Sequence, residues 1–367
     1  MNKQETLYRI GITLIPTVGD ATAKKLIAYC GGVEAVFKEK SGALQKIPSI
    51  GKKVADAIVG QNVLGRAEEE IKQMEKRGIE PLFYLDSKYP KRLFHCDDGP
   101  VMLYTKGEMN LNQEKVLSVV GCRKATEHGK SFTEKLVADL AARNVTIVSG
   151  LAYGIDIAAH KAAVKNNVQT IAGLAHGLDR LYPSQHTATA KEMIKNGGLI
   201  TDFITGTNPD RENFPKRNRI VAGISDATIV IESAIKGGAL ITAEIANGYN
   251  RDVFAVPGRP DDKYSAGCNN MINRNKAALV TSGQDLLELM GWTEANELKS
   301  APVQTTLLMD LSEEQQHLIN ILKEGQLMID ELCLKAEMPM SKVAAMLLEL
   351  EFAGAVRNLP GKVYRLN

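Results

Sequence analysis

The stretch NFPKRNRIVAGISDATIVIESAIKGGALITAE, Asn213 to Glu244, holds one full unit of a layered α/β protein. Its central run ATIVIES, Ala227 to Ser233, is short, apolar and β-branched, and the pair Gly237 and Gly238 separates it from a following helix. A strand without polar alternation is covered on both faces, and the covering layers in such folds are helices. Six further runs are of this kind: VLSVVG (Val116 to Gly121), VTIVSG (Val145 to Gly150), QTIAGLA (Gln169 to Ala175), GLITDF (Gly198 to Phe203), DVFAVPG (Asp252 to Gly258) and AALVTS (Ala277 to Ser282). Amphipathic helical stretches separate most of them. The expected fold is α/β, a Rossmann-like doubly wound parallel sheet spanning residues 78–291.

Both flanks differ in character. Within residues 1–77, PTVGDATAKKL (Pro16 to Leu26) and PSIGKKVADAI (Pro48 to Ile58) share the frame P-x-h-G-x-x-x-A-x-x-h. This repeat predicts a helix-hairpin-helix, SAM-like helical domain: proline ends one helix, glycine permits the tight turn, and alanine lets the pair pack closely. The helix N-terminal amides of such a hairpin can hold a phosphate without reading a base. Lys52 and Lys53 follow Gly51 in the second copy, whereas Asp20 follows the glycine of the first. If either copy grips a nucleic acid as a secondary site, it is the second, at Gly51, Lys52 and Lys53; the alternative is a helical bundle that only docks on its neighbour. Residues 292–311 lack pattern and are expected to be a linker. From Ser312, SEEQQHLINILKEG, MIDELCLKAEM and PMSKVAAMLLELEFAG predict three helices, and AVRNLPGKVYRLN predicts a hairpin turning at Pro360 and Gly361. Three helices and a hairpin make residues 312–367 a winged helix.

At 367 residues, two or three domains are expected. The composition, 44% hydrophobic and 24% charged with a formal charge of +2, is that of a globular protein whose polyanion-binding surface must be local. Five scattered cysteines form no C-x-x-C pair, and the six histidines show no metal-ligand spacing. Neither a metal nor a cofactor is expected. With no apolar run long enough to cross a bilayer, a cytoplasmic protein without membrane contact is expected.

Ligands of open parallel sheets bind at the carboxyl ends of the strands. After the first strand, GCRKATEHGK supplies Gly121, Cys122 and Arg123 before a helix starting near Thr126. The G-x-G-x-x-G fingerprint is missing, so dinucleotide binding is not supported, yet glycine, arginine and a helix N-terminus make an anion site. SGLAYGID brings Gly150 to the second strand end, and IKGGALITAE brings Gly237, Gly238 and Thr242 to the fifth. Between them, Arg211, Lys216, Arg217 and Arg219 flank Phe214. Guanidiniums hold phosphates in a bidentate way and an aromatic face stacks on an unpaired base. Cations crowded at a helix start are disfavoured by the macrodipole unless an anion neutralises them. Together these residues predict a groove for single-stranded nucleic acid. The alternative has Phe214 as a core anchor, with Arg217 and Arg219 paired to Asp202, Asp226 or Glu232. The winged-helix segment MSKVAAMLLELEFAG sets Lys342 against Glu349 and Glu351, too few cations to read a duplex. Protein contact or oligomer support is expected there instead.

GCRKATEHGK, VSGLAYGIDIAAHKAA, GLDRLYPSQH, the stretch from Asn213 to Glu244 and DVFAVPGRPDDKYSAGCNNMINRNKAALV resemble, in order and spacing, the DNA-processing protein A family, DprA or Smf. The resemblance runs from about residue 80 to 290 and is looser in both flanks. It implies a non-sequence-specific single-stranded DNA-binding protein, not an enzyme, that protects incoming strands and loads the RecA recombinase during natural transformation. It also implies a homodimer formed through the Rossmann-like domain. Arg123 matches the arginine of the family's phosphate pocket, and Gly150, Arg211, Phe214, Arg217, Asn218, Arg219, Gly237, Gly238 and Thr242 fall in motifs lining the same groove. Cys122 stands where serine is usual; a thiol is the weaker donor, which leaves its backbone amide as the expected contact. GGALITAE also resembles part of the G-G-x-G-T-x-x-E loop of nucleotide phosphoribohydrolases, enzymes on a related fold. Leu240 and Ile241 replace its glycine and threonine, and Glu244 alone is weak support for acid–base chemistry.

Overall fold

The computed structural model describes residues 3–293, 311–359 and 362–366. It divides into two compact units, one ending at Gly283 and the other beginning at Gln284. The first is built on a nine-stranded sheet: β1 (Glu80–Phe83), β2 (Met102–Lys106), β3 (Val116–Val120), β4 (Thr146–Ser149), β5 (Thr170–Gly173), β6 (Gly197–Thr201), β7 (Ala227–Val230), β8 (Asp252–Ala255) and β9 (Ala278–Leu279). Their order is β1-β2-β6-β5-β4-β3-β7-β8-β9. From β6 to β9 every pairing is parallel, and all seven runs read from the sequence form these strands. β1 and β2 add an antiparallel edge that the sequence reading did not anticipate. Neither belongs to the strand–helix rhythm, and Pro81 within β1 masks a strand that tolerates proline only because it lies at an edge.

The helical region 1–77 does not stand apart from this sheet. Ile10, Leu26, Leu44 and Ile58 share one hydrophobic cluster with Tyr104, Leu174 and Leu199. Ala23 and Ala55, the alanines of the repeat, are buried as expected. The turn chemistry differs from the expected one. Gly19 and Gly51 have ordinary extended angles, φ −86° and −82°, and the left-handed residues are Thr17 (φ 73°) and Ser49 (φ 70°), each just after the proline. The same unusual conformation at equivalent positions shows that the repeat is structural as well as sequential.

On the opposite sheet face, Ile220, Val221, Ala243 and Ala246 pack from the helices Asn213–Gly223 and Gly238–Gly248. His160, in the helix Ile155–Lys165, is fully buried, with Nδ1 2.7 Å from Thr170 Oγ1 and Nε2 without a partner. Burial, aided by the charge of Arg217, pulls its pKa from 6.5 down to about 3. Between those values the unfolded chain binds a proton that the folded chain refuses, so this residue's contribution to stability is whole above pH 6.5 and is lost on acidification. In denaturant melts His160→Gln should remove about 1.4 kcal/mol per pH unit from the loss of stability below pH 6.5, while His176, whose pKa burial also lowers, keeps its own share of that loss. Equal slopes in the two proteins would refute this assignment.

The second unit carries the expected winged helix. Helices Glu313–Leu322, Ile329–Ala336 and Met340–Phe352 precede an antiparallel pair, Val356–Leu359 and Val363–Leu366, and Leu327–Met328 joins as a short third strand. Ser312 and Gln315 form a capping box at the first helix, and Leu318, Leu332, Val343 and Leu347 form the core. The expected turn at Pro360 and Gly361, and residues 294–310 of the expected linker, lie outside the described residues. No helix among the described residues is long and apolar enough to cross a membrane.

Candidate nucleic-acid interface

The chain runs outward through β3, β4, β5 and β6, then returns to place β7 beside β3. A cleft opens where the direction reverses, as the rule for open α/β sheets requires. It encloses about 300 Å³ and is lined by Gly121, Cys122, Arg123, Gly150, Phe214, Arg217, Asn218, Gly238 and Thr242 from the expected set, together with Asp156 and a few apolar neighbours. Gly237, Arg211, Lys216 and Arg219 are not among the lining residues. Arg211 and Lys216 are exposed, and Gly51, Lys52 and Lys53 are exposed on the helical region.

Two of the three loops that looked like anion sites are filled by the protein's own carboxylates. After β3, Glu232 accepts from the Thr126 amide at 2.9 Å and from its hydroxyl, while Thr126 caps the helix Glu127–Ala141 through the Gly129 amide at 3.1 Å. The Cys122 amide, expected to remain available, donates instead to the Glu232 carbonyl at 2.8 Å. Its thiol lies 3.5 Å from the Glu232 carboxylate, and burial followed by that charge pushes the thiol pKa up to about 12. Cys122 is therefore a protonated wall residue. After β4, buried Asp156 accepts from the Gly150 and Ala152 amides at 3.2 and 3.4 Å.

The third loop keeps its helix end uncapped. No side chain caps the helix Gly238–Gly248 at Gly237, whose own amide donates to the Ala234 carbonyl at 2.8 Å. A Cβ at Gly237 would sit 2.1 Å from Ser233 Oγ, whereas at Gly238 nothing lies within 4 Å. Gly237 thus serves close packing, and Gly238 leaves open space at a positive dipole end.

The arginines divide sharply. Arg123 is exposed and lies over the Phe214 ring, 5.1 Å from its centroid. Phe214 is half-buried, with Tyr182 packed edge-on at 6.3 Å. Arg217 is 5% exposed; its Nη1 donates to the Gly150 carbonyl at 2.7 Å and to the Gly173 carbonyl, and its Nε to Asn218 Oδ1 at 3.2 Å. Burial, partly offset by Asp156, lowers its pKa to about 10, so it stays charged at neutral pH. It ties two strand ends together and sets a positive wall. Arg219 is withdrawn altogether: its Nη2 pairs with Asp20 at 2.9 Å and Asp202 at 2.7 Å, two carboxylates that outweigh its burial. Asp226 is taken by Arg92 and Glu232 by Thr126, so Asp202 is the acid that the alternative reading named correctly. The sequence reading assigned to the site neither Asp156, which lines the cleft, nor Tyr182, which packs edge-on against Phe214.

Fold and site define a Rossmann-like protein with an anion-receptive, aromatic-walled cleft at its switch point. The family model described as DNA recombination-mediator protein A matches residues 80–291, that of the DprA winged helix domain 302–362, and a helix-hairpin-helix motif 10–60. The chain belongs to the DNA-processing protein A family, DprA or Smf. It is 30% identical over 397 aligned positions to the protein Smf of Synechocystis sp., covering all of both chains. The structure of DNA processing protein A from Streptococcus pneumoniae superposes with a TM-score of 0.68 at 33% identity, over 77% of this chain and 97% of that one. That of Helicobacter pylori, described for its single-stranded DNA binding mode, gives 0.52 at 27% identity, over 57% and 94%.

Proposed function

We propose that the chain binds single-stranded DNA in the switch-point cleft without reading its sequence. One observation carries this reading: the uncapped helix end at Gly238 opens into the same cleft as the exposed Arg123–Phe214 pair. A phosphate takes the helix amides, and an arriving base stacks on Phe214 in place of the guanidinium, which is then released to a second phosphate. Arg217 contributes charge from within the wall and makes no new bond. Lys216 and Arg211 extend the backbone path outside the cleft. Lys52 and Lys53, at the uncapped start of the helix Lys52–Val59, supply the secondary contact. Asp20 is committed elsewhere, accepting from the Val101 amide at 2.8 Å as well as from Arg219. The single-stranded DNA binding described for the Helicobacter pylori relative supports the choice of polymer. On the family resemblance, the complex protects incoming strands in the cytoplasm, forms a homodimer through the Rossmann-like layer and delivers DNA to RecA in natural transformation.

The nucleotide-hydrolase reading has less support. Glu244 is exposed, lies 3.3 Å from Lys276 and does not line the cleft. A filter-binding comparison of single-stranded and duplex DNA, with and without excess AMP, separates the two. Retention of single strands that ignores AMP is expected. Competition by AMP, or release of adenine from it, would favour the enzyme.

A further inference from the structure

The winged helix carries a second surface with its own logic. At 100° per residue, Val343, Met346, Leu347 and Leu350 turn one side of the helix Met340–Phe352 into the core. The diametrically opposite stripe is Ser341, Ala345, Leu348 and Phe352, all exposed, with Leu348 at 53% and Phe352 at 84%. In a duplex reader this is the stripe that would enter a groove, and it would carry donors and cations. Here it carries no cation, and its one side-chain donor is the Ser341 hydroxyl at the first turn. Lys342, at its edge, is already 2.5 Å from Glu314, and the remaining charges on this helix are Glu349 and Glu351.

We infer that this stripe is an isologous docking surface for the same helix of a second copy, running antiparallel. Side-chain size argues for it. The first half of the stripe is small (Ser341, Ala345) and the second half large (Leu348, Phe352). Reversing one helix against the other about the midpoint sets each Phe352 opposite a Ser341 and each Leu348 opposite an Ala345, so every projection meets a recess. A parallel pairing would set Phe352 against Phe352 and leave Ser341 facing Ser341 across a gap. Charge argues the same way. Lys342 and Glu349 lie on one edge of the stripe, near opposite ends, so antiparallel copies bring each Lys342 alongside the other copy's Glu349 in exchange for their present partners Glu314 and Gln315, whereas parallel copies would set these edges on opposite sides of the seam, out of reach of each other.

The full-length chain tests this by sedimentation equilibrium across micromolar concentrations. Phe352→Glu should weaken one self-association step by at least about tenfold, because an aromatic anchor is lost twice across a two-fold axis. The weight-average mass near the midpoint should then fall by about a quarter, with single-stranded DNA retention intact. Lys342→Glu should weaken the same step, and adding Glu349→Lys should restore it. Leu348→Lys is the second disrupting variant if Phe352→Glu fails to fold. Two results would overturn the inference: a mass unmoved by both disrupting variants, or a double charge swap no stronger than the single one. Photocrosslinking from position 345 to DNA or to an unrelated protein would likewise overturn it. This step is separate from pairing through the Rossmann-like layer, and loss of either one leaves the other measurable.

Discussion

Arg123→Ala is expected to weaken binding of an oligo-dT strand by about one to two orders of magnitude at moderate salt, the worth of a charge-assisted contact to phosphate. The log–log salt dependence should flatten by about 0.7 at the same time, because one neutralised phosphate fewer releases one counterion fewer from a single strand. The two effects belong together, and an affinity loss with an unchanged slope would indicate a damaged fold instead. Such damage is not expected, since Arg123 is exposed and its ring contact is with a half-buried Phe214. Arg123→Lys keeps the charge but loses the planar fork, so it should recover the slope and only part of the affinity. Unchanged retention of oligo-dT by Arg123→Ala would remove the cleft from the proposal.

The sequence made the central sheet legible because its strands are continuous apolar runs, and burial on both faces leaves them no other composition. It also located the cleft, since three glycine-bearing strand ends on a doubly wound sheet converge at the switch point whatever their side chains. Hidden from it was which of those ends is vacant. Glu232 reaches Thr126 across 106 positions, and Asp156 turns back on Gly150 from within the next helix. Loop composition alone does not register a carboxylate that arrives from elsewhere. The hairpin repeat shows the same limit at shorter range: the glycines drew the assignment of the turn, while the left-handed residues are Thr17 and Ser49. In the charged segment, adjacency in sequence was misleading because Arg217 and Arg219 lie on different sides of one helix. One lines the cleft, and the other reaches Asp20 of the helical region.

Arg219→Ala should therefore act on stability, leaving strand binding nearly untouched at temperatures where the protein stays folded. Its guanidinium is 18% exposed and serves Asp20, 24% exposed, and Asp202, 10% exposed, while Nη1 donates to the Asp98 carbonyl. Arg219 bonds Asp202 Oδ2, and Oδ1 has no hydrogen-bond partner, so removing the cation strands a carboxylate in a nearly dry site. Breaking one side of a buried pair in this way costs about 3–5 kcal/mol, which for a unit of this size lowers the melting temperature by roughly ten degrees. The cost lies in the charge left behind more than in the bond lost. Adding Asp202→Asn to Arg219→Ala should accordingly recover a large part of it, whereas a guanidinium that mattered only through its own packing would give no recovery. The same contacts fasten the helical region to the sheet, since Asp20 also accepts from the Val101 amide. Loosening Arg219 should thus raise proteolysis near residues 14–20 before the sheet itself melts, and uniform protection in both proteins would show that Asp20 alone holds the junction.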